Sequence, residues 1–199
     1  MKVYGDAKSG NCYKVKLLAA LLSIEYTWID VDILAKETQS AAFKAMNPNA
    51  KIPVLVLDDG RCLWESNAIV CYLATGTSFL PNDPYLNAQT LQWQFFEQYS
   101  HEPYIAVARF IAKYLGLPDD RKADYVSKQV GGLAALQVME SHLCDRLFFV
   151  GDALSVADIS LYAYTHVAHE GGFDLASFPA VCAWLTRVAS QSGYVDMED

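Results

Sequence analysis

Two hydrophobic periods divide the chain. Over the first 77 residues, short runs of β-branched or alternating residues take turns with runs of helical spacing. Lys2-Val3-Tyr4 predicts a first strand, and residues 10–23 place Val15, Leu18, Ala19 and Leu22 on one helical face. Tyr26 to Asp30 alternates and is rich in strand formers, so it predicts the second strand. Ser40 to Ala45 predicts a short helix that stops at Asn47-Pro48. Val54 to Leu57, the turn Asp58-Asp59-Gly60, and Arg61 to Trp64 predict a hairpin, and Ser66 to Ala74 a closing helix. The resulting order is β-α-β-α-β-β-α.

Beyond this point only helical spacing remains. A turn-rich stretch, Gly76 to Pro84, predicts a linker, which we place at 78–85, between a domain at 1–77 and an all-helical one at 86–199. Helices are predicted over 86–114, 120–146, 155–170 and 178–191, the first kinked at Pro103. The fold class is therefore α/β with a mixed sheet, followed by an all-α domain.

Composition narrows the function. Hydrophobic residues make up 53% and charged residues 19%, enough apolar surface for a sizeable core. The net charge of −8, with no basic stripe, argues against nucleic acid as a partner. No apolar run approaches the length of a membrane span, and Met1 to Asp6 lacks a signal-peptide core, so a cytoplasmic protein is expected. Five cysteines, scattered and never in a CxxC pair, fit a reducing compartment and predict neither disulfides nor a zinc site. His166, His169 and Glu170 have metal-ligand spacing on a helix, but no third histidine or cysteine accompanies them, and no metal is expected.

Three motifs carry the chemistry. Ile52-Pro53 precedes an apolar strand; the proline either starts that strand or follows a cis bond in a tight turn. Glu65-Ser66 opens a helix, where capping and free N–H groups suit a carboxylate ligand. Ser9-Gly10-Asn11-Cys12 joins the first strand to the first helix, with Ser9 placed as an N-cap. A cysteine at that helix start has a route to reactivity through the helix dipole, although Ser9-x-x-Cys12 lacks the leading cysteine of a dithiol motif.

Together, the order of elements, the linker and these motifs resemble the cytosolic glutathione transferases over essentially the whole chain, and most closely bacterial members with Ser-Gly-Asn-Cys at the first helix. The resemblance implies a thioredoxin-like domain that binds glutathione and a helical domain that contributes a hydrophobic electrophile site between the two. It implies a cis bond before Pro53, with Ile52 pairing its backbone to the cysteinyl part of glutathione by strand addition. It also implies that Ser66 holds the γ-glutamyl carboxylate while Glu65 faces the amine. Ser9 is then the first candidate to hydrogen-bond the sulfur and favour thiolate, Asn11 the second and Tyr4 a weak third. Thr38, Gln39 and Lys51 fall where relatives meet the glycyl carboxylate, and Tyr104 and Arg109 on the long helix where relatives meet the electrophile. Ala50 departs from the glycine that relatives often carry. Glutathione enters as co-substrate, no cofactor is expected, and a homodimer is implied. Two rivals stand beside conjugation: a glutathione-dependent disulfide or peroxide reductase, and a non-catalytic binding protein.

Overall fold

The computed structural model describes residues 1–197, which form two compact units. The first contains residues 1–75 and the tail from Gln191. Its sheet has the order β2-β1-β3-β4, from β1 (Lys2–Gly5), β2 (Thr27–Asp30), β3 (Val54–Val56) and β4 (Cys62–Trp64). β1 runs parallel to β2 and antiparallel to β3, and β3 pairs antiparallel with β4, as the hairpin spacing predicts. The helices are α1 (Gly10–Leu21), α2 (Ala41–Met46) and α3 (Ser66–Leu73).

Alternation along the strands sends Tyr4, Val54 and Val56 to one face, where Val31, Phe43, Met46 and Ile52 complete a core cluster. Phe43 belongs to α2, so burying that one side chain gives a six-residue helix its place. Gly5 permits the close approach of α1 on the opposite side. A Cβ there would lie 2.8 Å from the Cys12 sulfur and 2.7 Å from the Trp28 ring.

The tail departs from the sequence-based boundary, which assigns 86–199 to the helical domain. Tyr13 on α1 donates its hydroxyl to the Val195 carbonyl at 2.8 Å, and Lys16 donates to the Met197 carbonyl at 3.2 Å. The buried Tyr13 phenol thus finds its acceptor in the tail, which packs on the first unit.

The second unit runs from Gly76 to Ser190. Asp83 caps α4 (Pro84–Phe96) by accepting from the N–H groups of Tyr85 and Leu86. A π-turn at Glu97–His101 leads into α5 (Glu102–Arg109), and a second π-turn follows at Phe110–Tyr114. The kink expected at Pro103 takes this form: proline has no N–H to offer Tyr99 four residues back, and the ladder re-forms with wider spacing. α6 (Lys122–Leu143), α7 (Val156–Thr165) and α8 (Pro179–Ala189) complete the unit.

The helix predicted over 155–170 ends at Thr165, followed by a 3-10 turn at Ala168–Gly171. Gly172 closes that turn at φ 85, a conformation glycine adopts without steric cost. Ser155 and Asp158 form a capping box at the start of α7. Glu140 on α6 caps α8 from outside, accepting from the N–H groups of Ala180 and Val181. Among the described residues, no helix is long and apolar enough to cross a membrane.

Candidate functional site

The sheet register brings the three motifs together. Tyr4 pairs with Val54, and Val54 with Trp64. The exit of β1, the entry of β3 and the exit of β4 therefore share one end of the sheet. Ser9, Ile52-Pro53 and Glu65-Ser66 follow or precede those positions by a few residues, so all three converge there. The Ile52-Pro53 peptide bond is cis, which decides between the two readings of that proline.

The loop before Pro53 is held from within. Asn47 is 1% exposed; its Nδ2 donates to the Lys51 carbonyl at 2.8 Å, and its Oδ1 accepts from the Asn49 N–H at 2.9 Å. Ala50 adopts φ 54, a left-handed conformation that costs a residue with a Cβ about 1 kcal/mol. Glycine at this position would avoid that cost. The Asn49 side chain reaches Glu65 Oε1 at 3.5 Å, joining the second motif to the first. Glu65 itself has φ 70 and ψ 113, outside the regions favoured by side-chain-bearing residues. Such outliers persist where surrounding structure fixes them, most often at ligand sites.

Ser66 is 6% exposed, and its hydroxyl donates to Asn11 Oδ1 at 3.0 Å. The same oxygen lies 3.4 Å from Nζ of Lys14, a lysine with no exposed surface. Lys14 is a site residue that sequence reading missed. The available signal was a cation four residues before Leu18, on the buried face of α1. Ser9 caps α1, its Oγ accepting from the Cys12 N–H at 3.4 Å.

Cys12 corrects an expectation. It is fully buried, and desolvation pushes its thiol up to about 12, outweighing the lowering by the Ser9 hydrogen bond. The helix dipole does not make it reactive. At neutral pH, iodoacetamide should label the exposed Cys62 and Cys144 and spare Cys12, with peptide mass spectrometry as the readout. Rapid labelling of Cys12 in the folded protein would contradict this account.

The remaining candidates separate. Thr38 is buried in the 3-10 turn before α2, while Gln39 and Lys51 are exposed. Tyr4 is half-buried in the core cluster of the sheet. Tyr104 packs against α6, where a Cβ on Gly131 would lie 2.3 Å from its ring. It borders a cavity of about 290 Å³ that also meets Phe96, Tyr99 and Val138. Arg109 is 2% exposed and its guanidinium pairs with Glu170, which also receives Lys113 at 2.7 Å. The Arg109 guanidinium, itself buried, is thus engaged by the half-buried Glu170 carboxylate. The same pairing occupies the Glu170 carboxylate, and His166 Nδ1 sits 2.9 Å from the Tyr162 carbonyl. Among the described residues, no group of three or more His, Cys, Asp or Glu side chains is arranged to hold a metal.

The glutathione S-transferase N-terminal domain matches residues 1–75 and the glutathione S-transferase C-terminal domain residues 93–192. The chain belongs to the glutathione S-transferase family. It is similar to the crystal structure of a glutathione S-transferase from Pseudomonas fluorescens Pf-5, 59% identical over all of this chain and 98% of that one, with TM-score 0.98. A maleylacetoacetate isomerase from Methylobacterium extorquens AM1, solved with malonate and GSH, is 26% identical over 97% of this chain and 94% of its own, with TM-score 0.81. Protein URE2 of Eremothecium gossypii is 27% identical over 94% of this chain, which spans only 64% of that protein's length. The family's two-domain pattern accounts for the change of hydrophobic period near residue 77, and a glutathione-dependent enzyme is the class that its members support.

Proposed function

We propose that this protein binds glutathione at the shared end of the β1-β3-β4 sheet, ionises its thiol and conjugates it to hydrophobic electrophiles. The observation that carries this reading is the convergence of the cis Ile52-Pro53 turn, Glu65-Ser66 and the Ser9 cap on one end of one sheet. Ile52 would pair its backbone with the cysteinyl segment, Ser66 would meet the γ-glutamyl carboxylate and Glu65 the amine. Thr38, Gln39 and Lys51 would lie toward the glycyl carboxylate. Ser9 would donate its hydroxyl to the sulfur, leaving Asn11, already bonded to Ser66, as the second donor. Glutathione is consumed as co-substrate, and the chemistry calls for no resident cofactor. The chain groups with bacterial members through Ser9-Gly10-Asn11-Cys12, and a cytoplasmic setting suits five cysteines that form no disulfide.

The reading is tested by incubating the protein with glutathione and 1-chloro-2,4-dinitrobenzene and following the dinitrophenyl thioether. Formation well above the uncatalysed rate is expected; none above background with glutathione bound would leave only a binding protein. A second reading is favoured by the likeness to the isomerase. Reversible addition of the same thiolate to an activated double bond, rotation, and loss of the thiolate would isomerise a substrate without consuming glutathione. Recovery of unchanged glutathione beside an isomerised product separates this outcome from conjugation.

A homodimer belongs to the same proposal. Leu91, Phe95 and Tyr99 step at four-residue intervals along the α4 stretch and are 42%, 60% and 80% exposed. On α6, Val126, Val130 and Leu133 are 64%, 78% and 45% exposed. Apolar rows of this extent mark interaction surfaces, and a second copy of the chain is their expected occupant. In sedimentation, the wild type should run at twice the chain mass and Val130→Glu with Tyr99→Glu at the monomer mass. A monomeric wild type would overturn the dimer.

A further inference from the structure

α1 is covered on almost every side: Gly10, Cys12 to Val15 and Leu17 to Ala19 are all buried. A helix buried this completely needs neighbours all round. Gly5 in β1 provides one, close to Cys12. The tail from Gln191 provides another. Tyr13, Lys16 and Ala20 share one face of α1 at three- and four-residue spacing, and the tail meets all three. The Tyr13 phenol donates to the Val195 carbonyl at 2.8 Å, and Lys16 Nζ donates to the Met197 carbonyl at 3.2 Å. A Cβ on Gly193 would lie 3.3 Å from the Ala20 carbonyl oxygen, and Gly193 has φ 85, which glycine adopts without steric cost. Tyr13 also reaches the start of the helix. Its N–H donates to the Ser9 carbonyl at 2.9 Å, closing the first turn of α1, while the Ser9 N–H donates to the Asp6 carbonyl at 2.9 Å. One residue therefore has its backbone on Ser9 and its side chain on the tail.

We infer that Tyr13 is a positioning residue and the tail a strap, which together hold the first turn of α1 where the Ser9 hydroxyl can serve the glutathione sulfur. This rests on the reading of Ser9 as the thiol donor. A hydrogen bond that favours thiolate depends on placement to within about 0.5 Å, and groups behind the donor set that placement. Ser9 touches the tail nowhere, so the tail acts on it only through Tyr13 and the helix. Residues 191–197 contain no helix or strand, and the tail is tied to α1 by side-chain donors rather than a backbone ladder. Such a segment opens at a lower free energy than the core beneath it. Displacing it would therefore loosen the Ser9 turn and weaken thiol ionisation without removing any group that touches glutathione. The coupling also runs in reverse. A ligand whose thiolate needs Ser9 in place must tighten the tail by the same factor. Residues remote from the ligand thus become a control point for thiol activation.

The test titrates the ultraviolet absorbance of the bound thiolate with pH, at saturating glutathione, in the wild type, Tyr13→Phe and Gly193→Val. Tyr13→Phe keeps the ring and removes the hydroxyl. Gly193→Val leaves α1 unchanged and puts a β-branched residue at positive φ, where it is strained. Each variant should raise the bound thiol pKa by about half a unit, roughly a threefold loss of thiolate at a pH below both values. The double variant should rise no further than either single one, because both release the same strap. Unchanged pKa values in the single variants, or rises that add in the double, would overturn the inference while leaving the functional reading intact. Glutathione that fails to bind the wild type, or binds it with an unshifted thiol, would instead remove the reading on which the inference rests. Hydrogen exchange on the wild type supplies an arm free of substitutions. Amides of residues 193–197 should exchange about threefold more slowly with glutathione bound than with S-methylglutathione, which has no thiol to ionise. Equal exchange with both ligands would make Tyr13 and the tail purely structural and contradict their role.

Discussion

Asp158→Ala is expected to cost the fold about 4 kcal/mol, the largest stability loss from any single truncation described above. Asp158 is fully buried, and its two oxygens accept four hydrogen bonds. Oδ1 accepts from the Phe149 N–H and Trp184 Nε1, each at 3.0 Å; Oδ2 accepts from the Ser155 N–H and hydroxyl, each at 2.9 Å. Burial pushes the carboxyl upward in pKa while the donated bonds pull it down. Alanine would leave two backbone N–H groups and an indole N–H facing an apolar interior, where each unsatisfied donor costs roughly 1–3 kcal/mol. It would also open a gap beside Trp184 and Phe149, whose rings pack edge-to-face at 5.1 Å. Asp158→Asn, which keeps the volume but turns an amide donor toward these donors, should cost about 2 kcal/mol. Urea unfolding read by tryptophan fluorescence measures both, with the midpoint falling and the slope unchanged. A loss below about 1 kcal/mol for the alanine variant would show that other groups replace the carboxylate.

The second large effect concerns turnover. With glutathione saturating at pH 6.5, Ser9→Ala should reduce conjugation about thirtyfold, corresponding to a rise of about 1.5 units in the bound thiol pKa. The sign follows from ionisation. The thiolate is the nucleophile, and at a pH below both pKa values its fraction falls tenfold for each unit of rise. The deficit should therefore shrink as pH increases, because the thiol ionises in wild type and variant alike. Ser9 also caps α1 through a long 3.4 Å bond, so the variant should lose about 0.5–1 kcal/mol of stability. That loss is read separately by unfolding and does not change with pH as the rate does. A deficit that stayed constant across pH would assign Ser9 to the cap alone.

Most of the first unit was legible in the sequence because its signals are local. The hairpin around Asp58-Asp59-Gly60, the N-cap at Ser9, and the helix opening at Ser66 each depend on residues a few positions apart. What escaped depends on distance along the chain. Nothing near Arg109 announces that its partner is Glu170, 61 residues away, and nothing near Tyr13 announces an acceptor 182 residues away. Those pairings engage Arg109 with Glu170 and place the tail with the first unit. The inertness of Cys12 escaped for a related reason: the helix dipole is visible from its position, but its burial beside Gly5 is a tertiary fact. Lys14 was hidden because a lysine in a helix ordinarily faces water. The π-turns around Pro103 were legible only as a kink, since proline removes one donor but does not dictate how the ladder recovers.

We propose that the Ser9, Ile52-Pro53 and Glu65-Ser66 cluster binds glutathione and ionises its thiol. This is tested most directly by titrating the wild-type protein with glutathione in a calorimeter, then following the thiolate absorbance of the saturated complex across pH. Saturable binding below about 1 mM is expected, with a bound thiol pKa about 2 units under that of free glutathione. Saturable binding with an unshifted thiol pKa, or no binding at all, would contradict it.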